Sequence, residues 1–86
     1  MNPADIIKYP LMTEKCLDAA DFENKVTFIV NLKSNKNDIK NAVEKLYNVE
    51  VSNVSTLITA KGQKKALVKL TSDYSAEDIV GRMGVI

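Results

Sequence analysis

Between Lys25 and Leu70 the hydrophobic spacing of the chain switches from strand to helix and back to strand, and few folds satisfy that order. Val26, Phe28, Val30 and Leu32 alternate with Lys25, Thr27, Ile29 and Asn31, the period of a strand with one buried face. Ser34 or Asn35 is placed to cap a helix over residues 36–47. There Ile39, Ala42, Val43, Leu46 and Tyr47 fall on one stripe, Lys36, Lys40 and Lys45 face the other way, and Asn48 is a stop. Residues 49–59, rich in Val, Ser and Thr, form a second strand of ambiguous phase. Val49, Val51 and Leu57 share one parity while Val54 and Ile58 take the other, which a bulge would reconcile. Residues 60–64 read as a short hairpin loop turned by Gly62, and residues 65–70 as a third strand, with Ala66, Val68 and Leu70 inward and Lys65 and Lys69 outward.

The flanks are less regular. Pro10 keeps Tyr9 extended, so a strand-like arm leads into a helix over residues 14–20 that Thr13 caps. Residues 21–24 read as a turn. Ser75-x-x-Asp78 resembles a capping box opening a short final helix, which Gly81 and Gly84 weaken. The expected class is α/β (α+β): a three-stranded antiparallel sheet with helices on one face, in one domain over residues 1–86. A domain this small buries only about 60% of its unfolded surface, so a partner is expected to add rigidity.

Several chemistries are disfavoured. The chain has no His, the commonest general base near neutral pH. Gly62, Gly81 and Gly84 do not cluster into a phosphate-binding loop. Cys16 is the single cysteine, better read as a packed thiol than a nucleophile, with no companions for a metal site. The only arginine, Arg82, lies in the weak final helix, so an acyl-phosphate hydrolase lacks its anion clamp. No enzymatic activity and no cofactor are expected. No apolar run approaches the roughly 20 residues of a membrane span. No secretory signal is visible in residues 1–5, and a cytoplasmic protein without membrane insertion follows.

Charge is unevenly distributed. Residues 1–32 carry a net −2, residues 33–71 a net +5 and residues 72–86 a net −2. A basic block between acidic ends marks one polyanion-facing side, although ordinary solvated lysine gives the same count. On the expected sheet, Lys25, Thr27, Ile29, Asn31, Lys65, Leu67 and Lys69 point outward. Lysines among hydroxyl and amide side chains suit phosphate and 2′-hydroxyl contact, and the aromatics that stack unpaired bases are missing. Binding to the shape and backbone of folded RNA is the expectation, with Lys61, Lys64 and Lys65 of the hairpin entering a groove. A small-molecule-binding regulatory α/β module is the alternative. It would need an apolar pocket or Gly-rich ligand loops.

Several stretches, taken in order, resemble the universal ribosomal protein L twenty-three family of the large subunit. They are Tyr9-Pro10-Leu11-Met12-Thr13-Glu14-Lys15, Asn24-Lys25-Val26-Thr27-Phe28 and Asn35-Lys36-x-Asp38-Ile39-Lys40, then Ala42-Val43-Glu44-x-Leu46-Tyr47-x-Val49-x-Val51, Thr56-Leu57 and Lys61-Gly62-x-Lys64-Lys65-Ala66. The resemblance covers residues 6 to about 70. It implies a ferredoxin-like split βαβ fold, binding to large-subunit rRNA near the polypeptide exit tunnel, and neighbouring large-subunit ribosomal proteins as partners, the chain being a monomer within the ribosome. It also implies part of the docking platform for the signal recognition particle and, in bacteria, trigger factor. The family's exposed docking glutamate falls on Glu14, where a plain helix-end acid is the other reading. The RNA-binding residues expected on this basis are Lys8, Tyr9, Thr13, Lys15, Lys25, Lys36, Lys40, Thr56, Lys61, Lys64, Lys65 and Lys69, with Lys45 left to solvent. The hairpin loop is short, like the archaeal form of the family, and lacks the long bacterial extension. The acidic flanks are expected to face solvent or protein.

Overall fold

The computed structural model describes residues 2–11 and 13–82; Met12 of the arm motif and Gly84 of the final helix lie outside them. The elements are α1 (Pro3–Ile6), β1 (Ile7–Pro10), α2 (Glu14–Glu23), β2 (Lys25–Val30), α3 (Lys36–Tyr47), β3 (Val51–Ile58), β4 (Lys64–Leu70) and α4 (Ala76–Arg82). Strand β4 lies between β2 and β3 and runs antiparallel to both. Strands β2 and β3 therefore point the same way, with α3 linking them across one intervening strand: the split β-α-β unit.

The sheet has four strands, not the expected three, in the order β1-β2-β4-β3. The arm residues Ile7–Pro10 pair antiparallel with the free edge of β2, and the Leu11 N–H extends the ladder by donating to the Thr27 carbonyl at 2.9 Å. Proline is tolerated there because an edge strand leaves one side of its backbone unpaired. In a β-α-β-β-α-β chain the last strand takes the place beside the first. Here the N-terminal arm fills it.

Val26, Phe28 and Val30 pair with Val68, Ala66 and Lys64 on the inward face, where Ile39, Ala42 and Val43 of α3 and Ile79 of α4 join the core. Phe28 is fully buried and stacks on Tyr47 with ring centroids 5.7 Å apart. Burial of each large apolar side chain contributes about 1.5–3 kcal/mol, so this layer dominates stability.

Local chemistry sets the helix ends. Asn35 caps α3: its Oδ1 accepts from the Asp38 N–H at 2.8 Å, and Asp38 Oδ2 accepts the Asn35 N–H at 3.2 Å. Asn48 ends the helix in the left-handed region at φ 56°. Helix α2 runs three residues past the expected stop, through Glu23, because Asn24 (φ 56°) supplies the left-handed C-cap. The N-terminus of α4 is held by the side chain of Asn24, whose Oδ1 accepts from the Ala76 N–H at 2.8 Å.

Two outward sheet positions are closed. Thr27 and Ile29 are almost fully buried. Strand β2 is an interior strand, so Ile29 lies between Tyr9 and Lys65, and Thr27 shares a concavity with Cys16 and Ala19 of α2. The phase conflict in β3 is resolved by a bulge at Ser52, between the pairs Val51–Leu70 and Asn53–Lys69. Beyond it Val54 faces inward beside Val68, and Leu57 is outward beside Lys65.

Candidate nucleic-acid interface

The ends of the strands sort the charge. At the end where β2 finishes, the loop into α3, the β3–β4 hairpin and the start of β1 come together. Asn31 donates its N–H to the Ile6 carbonyl at 2.8 Å. The hairpin loop spans residues 59–63, closed by the Thr59 N–H to the Gln63 carbonyl at 2.8 Å and the Gly62 N–H to the Thr59 carbonyl at 2.9 Å, with Gly62 at φ 79°. Two side-chain bonds tie the hairpin to its neighbours. Gln63 Nε2 donates to the Tyr9 hydroxyl at 3.0 Å, and the Lys64 ammonium donates to the Ser34 carbonyl. Ser34 is itself buried, with its hydroxyl donating to the Asn31 carbonyl at 2.5 Å.

Lys8, Lys33, Lys36, Lys61, Lys64 and Lys65 collect at this end, against the carboxylates of Asp5 and Asp38. Asp38 keeps its charge while accepting the Asn35 N–H in the cap, and it is the excess of six lysines over two carboxylates that leaves the surface positive. At the other end lie Asp21 and Glu23 of α2, Glu50 before β3, Asp73 after β4, and Glu77 and Asp78 of α4. Lys25 and Lys69 sit among them as a directly opposed cross-strand pair. Lys25 is 3.8 Å from Glu23, which offsets part of the like-charge repulsion. The Glu77 carboxyl is held above its ordinary range because it shares a hydrogen bond with Asp21, whose charge adds to the effect, followed by slight burial and then Asp78.

Of the residues expected from sequence to meet RNA, the fold gathers Lys8, Tyr9, Lys36, Lys61, Lys64 and Lys65 at the hairpin end. Lys40 lies one turn further along α3, beside Ser52 and Asn53 of β3. Thr13 caps α2, accepting from the Cys16 N–H at 3.3 Å and donating its hydroxyl to Cys16 Sγ at 3.1 Å. Lys15 lies in the first turn of α2, in a shallow concavity shared with Lys65 and Leu67, and Glu14 opens the helix, exposed. Lys25 and Lys69 are at the acidic end. Thr56 has inward parity opposite Ala66 and is half-buried. Two members of the hairpin-end group were not singled out from sequence: Lys33, exposed in the β2–α3 loop, and Gln63, which reaches Tyr9. Lys33 was visible only as part of the basic block, because its placement depends on where β2 stops.

The surface so assembled is a rigid, cationic strand end with amide and phenol groups interleaved, suited to sugar and phosphate contact rather than to base stacking. A family model described as ribosomal protein L23 matches residues 5–77. A curated protein from the archaeon Methanococcus aeolicus, described as large ribosomal subunit protein uL23, is 42% identical over 85 residues, covering 99% of each chain. The match extends through the helices and strands on both sides of the motifs, and it sets aside the small-molecule regulatory module. The chain belongs to the ribosomal protein L23 family, non-catalytic structural constituents of the large ribosomal subunit in the cytoplasm.

Proposed function

We propose that this chain acts as one domain that binds large-subunit rRNA through the hairpin end of its sheet, close to the rim of the polypeptide exit tunnel. The observation that carries this reading is the convergence of three chain segments on one cationic edge. The arm, the β2–α3 loop and the hairpin are cross-tied by the Tyr9–Gln63 and Lys64–Ser34 bonds. Pre-ordered lysines lose less freedom when they meet phosphate, which favours recognition of a folded RNA by shape. The acidic end then faces protein, and Glu14, exposed at the start of α2, forms part of the docking site for the signal recognition particle.

Both parts are open to test. The full chain should bind large-subunit rRNA with affinity that falls steeply with salt, since each phosphate contact releases counterions. Replacing Lys61 and Lys65 with Gln should flatten the log–log salt slope by about 1.4–1.8. An unchanged slope removes the hairpin from the interface. Glu14→Lys should weaken recruitment of the signal recognition particle while leaving incorporation into the subunit intact; undiminished recruitment makes Glu14 a helix-end residue only.

A further inference from the structure

Strand β3 is an edge strand, paired only with β4, so one side of its eight-residue backbone has no partner in the sheet. Exposed edges are usually blunted by lysine, proline or a covering element. This one, from Val51 to Ile58, contains neither a charged residue nor a proline. Its only irregularity is the bulge at Ser52. Beside that bulge, Ser52, Asn53 and Val54 form one wall of a shallow groove, and Lys36, Asn37 and Lys40 of α3 form the other.

Among the described residues no carboxylate forms an ion pair with the lysines of this groove, although Asp38, Glu44 and Glu50 lie nearby and keep their charge. Glu44, the next carboxylate along α3, accepts the Val51 N–H at 3.0 Å, and Asp38 accepts the Asn35 N–H in the helix cap. Among the described residues, Lys36 and Lys40 are exposed and make no hydrogen bond or ion pair within the chain. Four residues apart on a helix, they are separated by a rise of about 6 Å, similar to the spacing of neighbouring phosphates along an RNA strand. Facing them are short amide and hydroxyl side chains and unpaired main-chain groups.

An added protein strand could use the same edge. It needs an unbroken ladder of alternating donors and acceptors, and the bulge interrupts that ladder at the groove. A sugar–phosphate strand needs no ladder. It needs cations at intervals and small polar groups for ribose hydroxyls, which is what the two walls supply.

We propose that the groove between the first turns of α3 and the bulged start of β3 is a second RNA contact, taking a single sugar–phosphate strand. Lys36 and Lys40 meet successive phosphates, and Asn53 and Ser52 meet ribose hydroxyls. The proposal rests on the reading that the chain binds rRNA, and it adds a side of the molecule distinct from the hairpin end. Lys36 stands at the corner the two surfaces share, so rRNA would turn that corner and hold the domain from two directions.

The discriminating residues are therefore Lys40 and Asn53, which lie in the groove only. Full-length Lys40→Gln should flatten the salt slope for large-subunit rRNA by about 0.7–0.9. Asn53→Ala should weaken binding by about threefold to tenfold at fixed salt, with no change in slope. Both positions are exposed, so the variants should fold, and circular dichroism checks that they do. A photo-crosslinker attached at Asn53→Cys should label rRNA in assembled large subunits. Wild-type slope and affinity in both groove variants, beside a flattened slope in the Lys61 and Lys65 variant, would overturn the groove alone. Crosslinking from position 53 to protein without RNA would also overturn it, giving the edge to strand addition. Salt-independent or absent binding by the wild-type chain would instead overturn the rRNA reading beneath it.

Discussion

Replacing Asn24 with alanine should cost this domain about 3 kcal/mol, a large share of the roughly 4–13 kcal/mol expected for 86 residues. The side chain sits at the acidic end, where it joins three segments. Its Nδ2 donates to the Tyr74 carbonyl at 2.9 Å and the Thr71 carbonyl at 3.2 Å, with the Leu70 carbonyl more distant at 3.4 Å. Its Oδ1 accepts from the N–H of Ala76, a fully buried residue. Two amide hydrogens can serve only two acceptors well, so three effective bonds are lost. Together they contribute about 2 kcal/mol, because Asn24 is only half-buried and each bond falls in the lower part of the usual range of about 0.5–1.5 kcal/mol. Alanine must also adopt the left-handed backbone that Asn24 holds at φ 56° and ψ 40°, for about another 1 kcal/mol. At about 4–8 °C per kcal/mol for a chain of this size, thermal unfolding followed by far-UV circular dichroism should show Tm falling by about 12–24 °C. Asn24→Gly loses the same side-chain bonds but not the conformational fit, and should recover about 1 kcal/mol of the loss. A Tm drop below about 3 °C for Asn24→Ala, or glycine no better than alanine, would refute this account of how α4 is attached.

Glu77→Gln should raise Tm near neutral pH, and its advantage should shrink as pH falls. The folded state holds the Glu77 carboxyl above its ordinary 4.5, so the stabilising shared proton is present below that range and is lost as pH rises through the raised value. A pH series of melting curves on both proteins checks the sign. Gly62→Ala should cost about 1 kcal/mol from backbone strain alone, since φ is +79° and an added Cβ meets nothing within 4 Å; urea unfolding measures it. Lys64→Met should destabilise by about 1.5–3 kcal/mol, because the Ser34 carbonyl loses a charged donor in a buried setting. In rRNA binding, Lys64→Gln should flatten the salt slope less than Lys61→Gln, because the Lys64 ammonium is already engaged within the chain.

Helix α3 was legible because all its signals are local: the Asn35–Asp38 capping pair, the stripe of Ile39, Ala42 and Val43, and Asn48 at the stop lie within one continuous segment. Strand β1 was legible only as an extended arm. Four residues ending in proline do not carry the alternation of a longer strand, and its pairing depends on β2 having a free edge. The C-terminal reach of α2 was hidden because Asp21, Phe22 and Glu23 are all exposed, Phe22 to 79%, and form no apolar stripe. The capping partner of α4 lies 52 residues away at Asn24, beyond any local motif. Thr27 and Ile29 alternate as solvent-facing residues should, yet an interior strand is shielded from both sides. For the site, the lysines were visible as a block along the chain. Their division between the ends of the sheet follows from strand direction and register, which hydrophobic spacing does not encode.

The segregation of charge along the strands changes what a net charge of +1 means for this molecule. Strand β4 alone carries the chain about 20 Å from the lysine end to the carboxylate end. The screening length of physiological salt is about 8 Å, so each end is largely hidden from the other by mobile ions. A polyanion at the hairpin therefore responds to the nearby ammonium groups and hardly to the carboxylates beyond. Ion exchangers of either sign should retain the protein near its pI of about 7.8, each by a different end. Near-neutrality here is two opposed local fields, and they orient the domain before it touches anything.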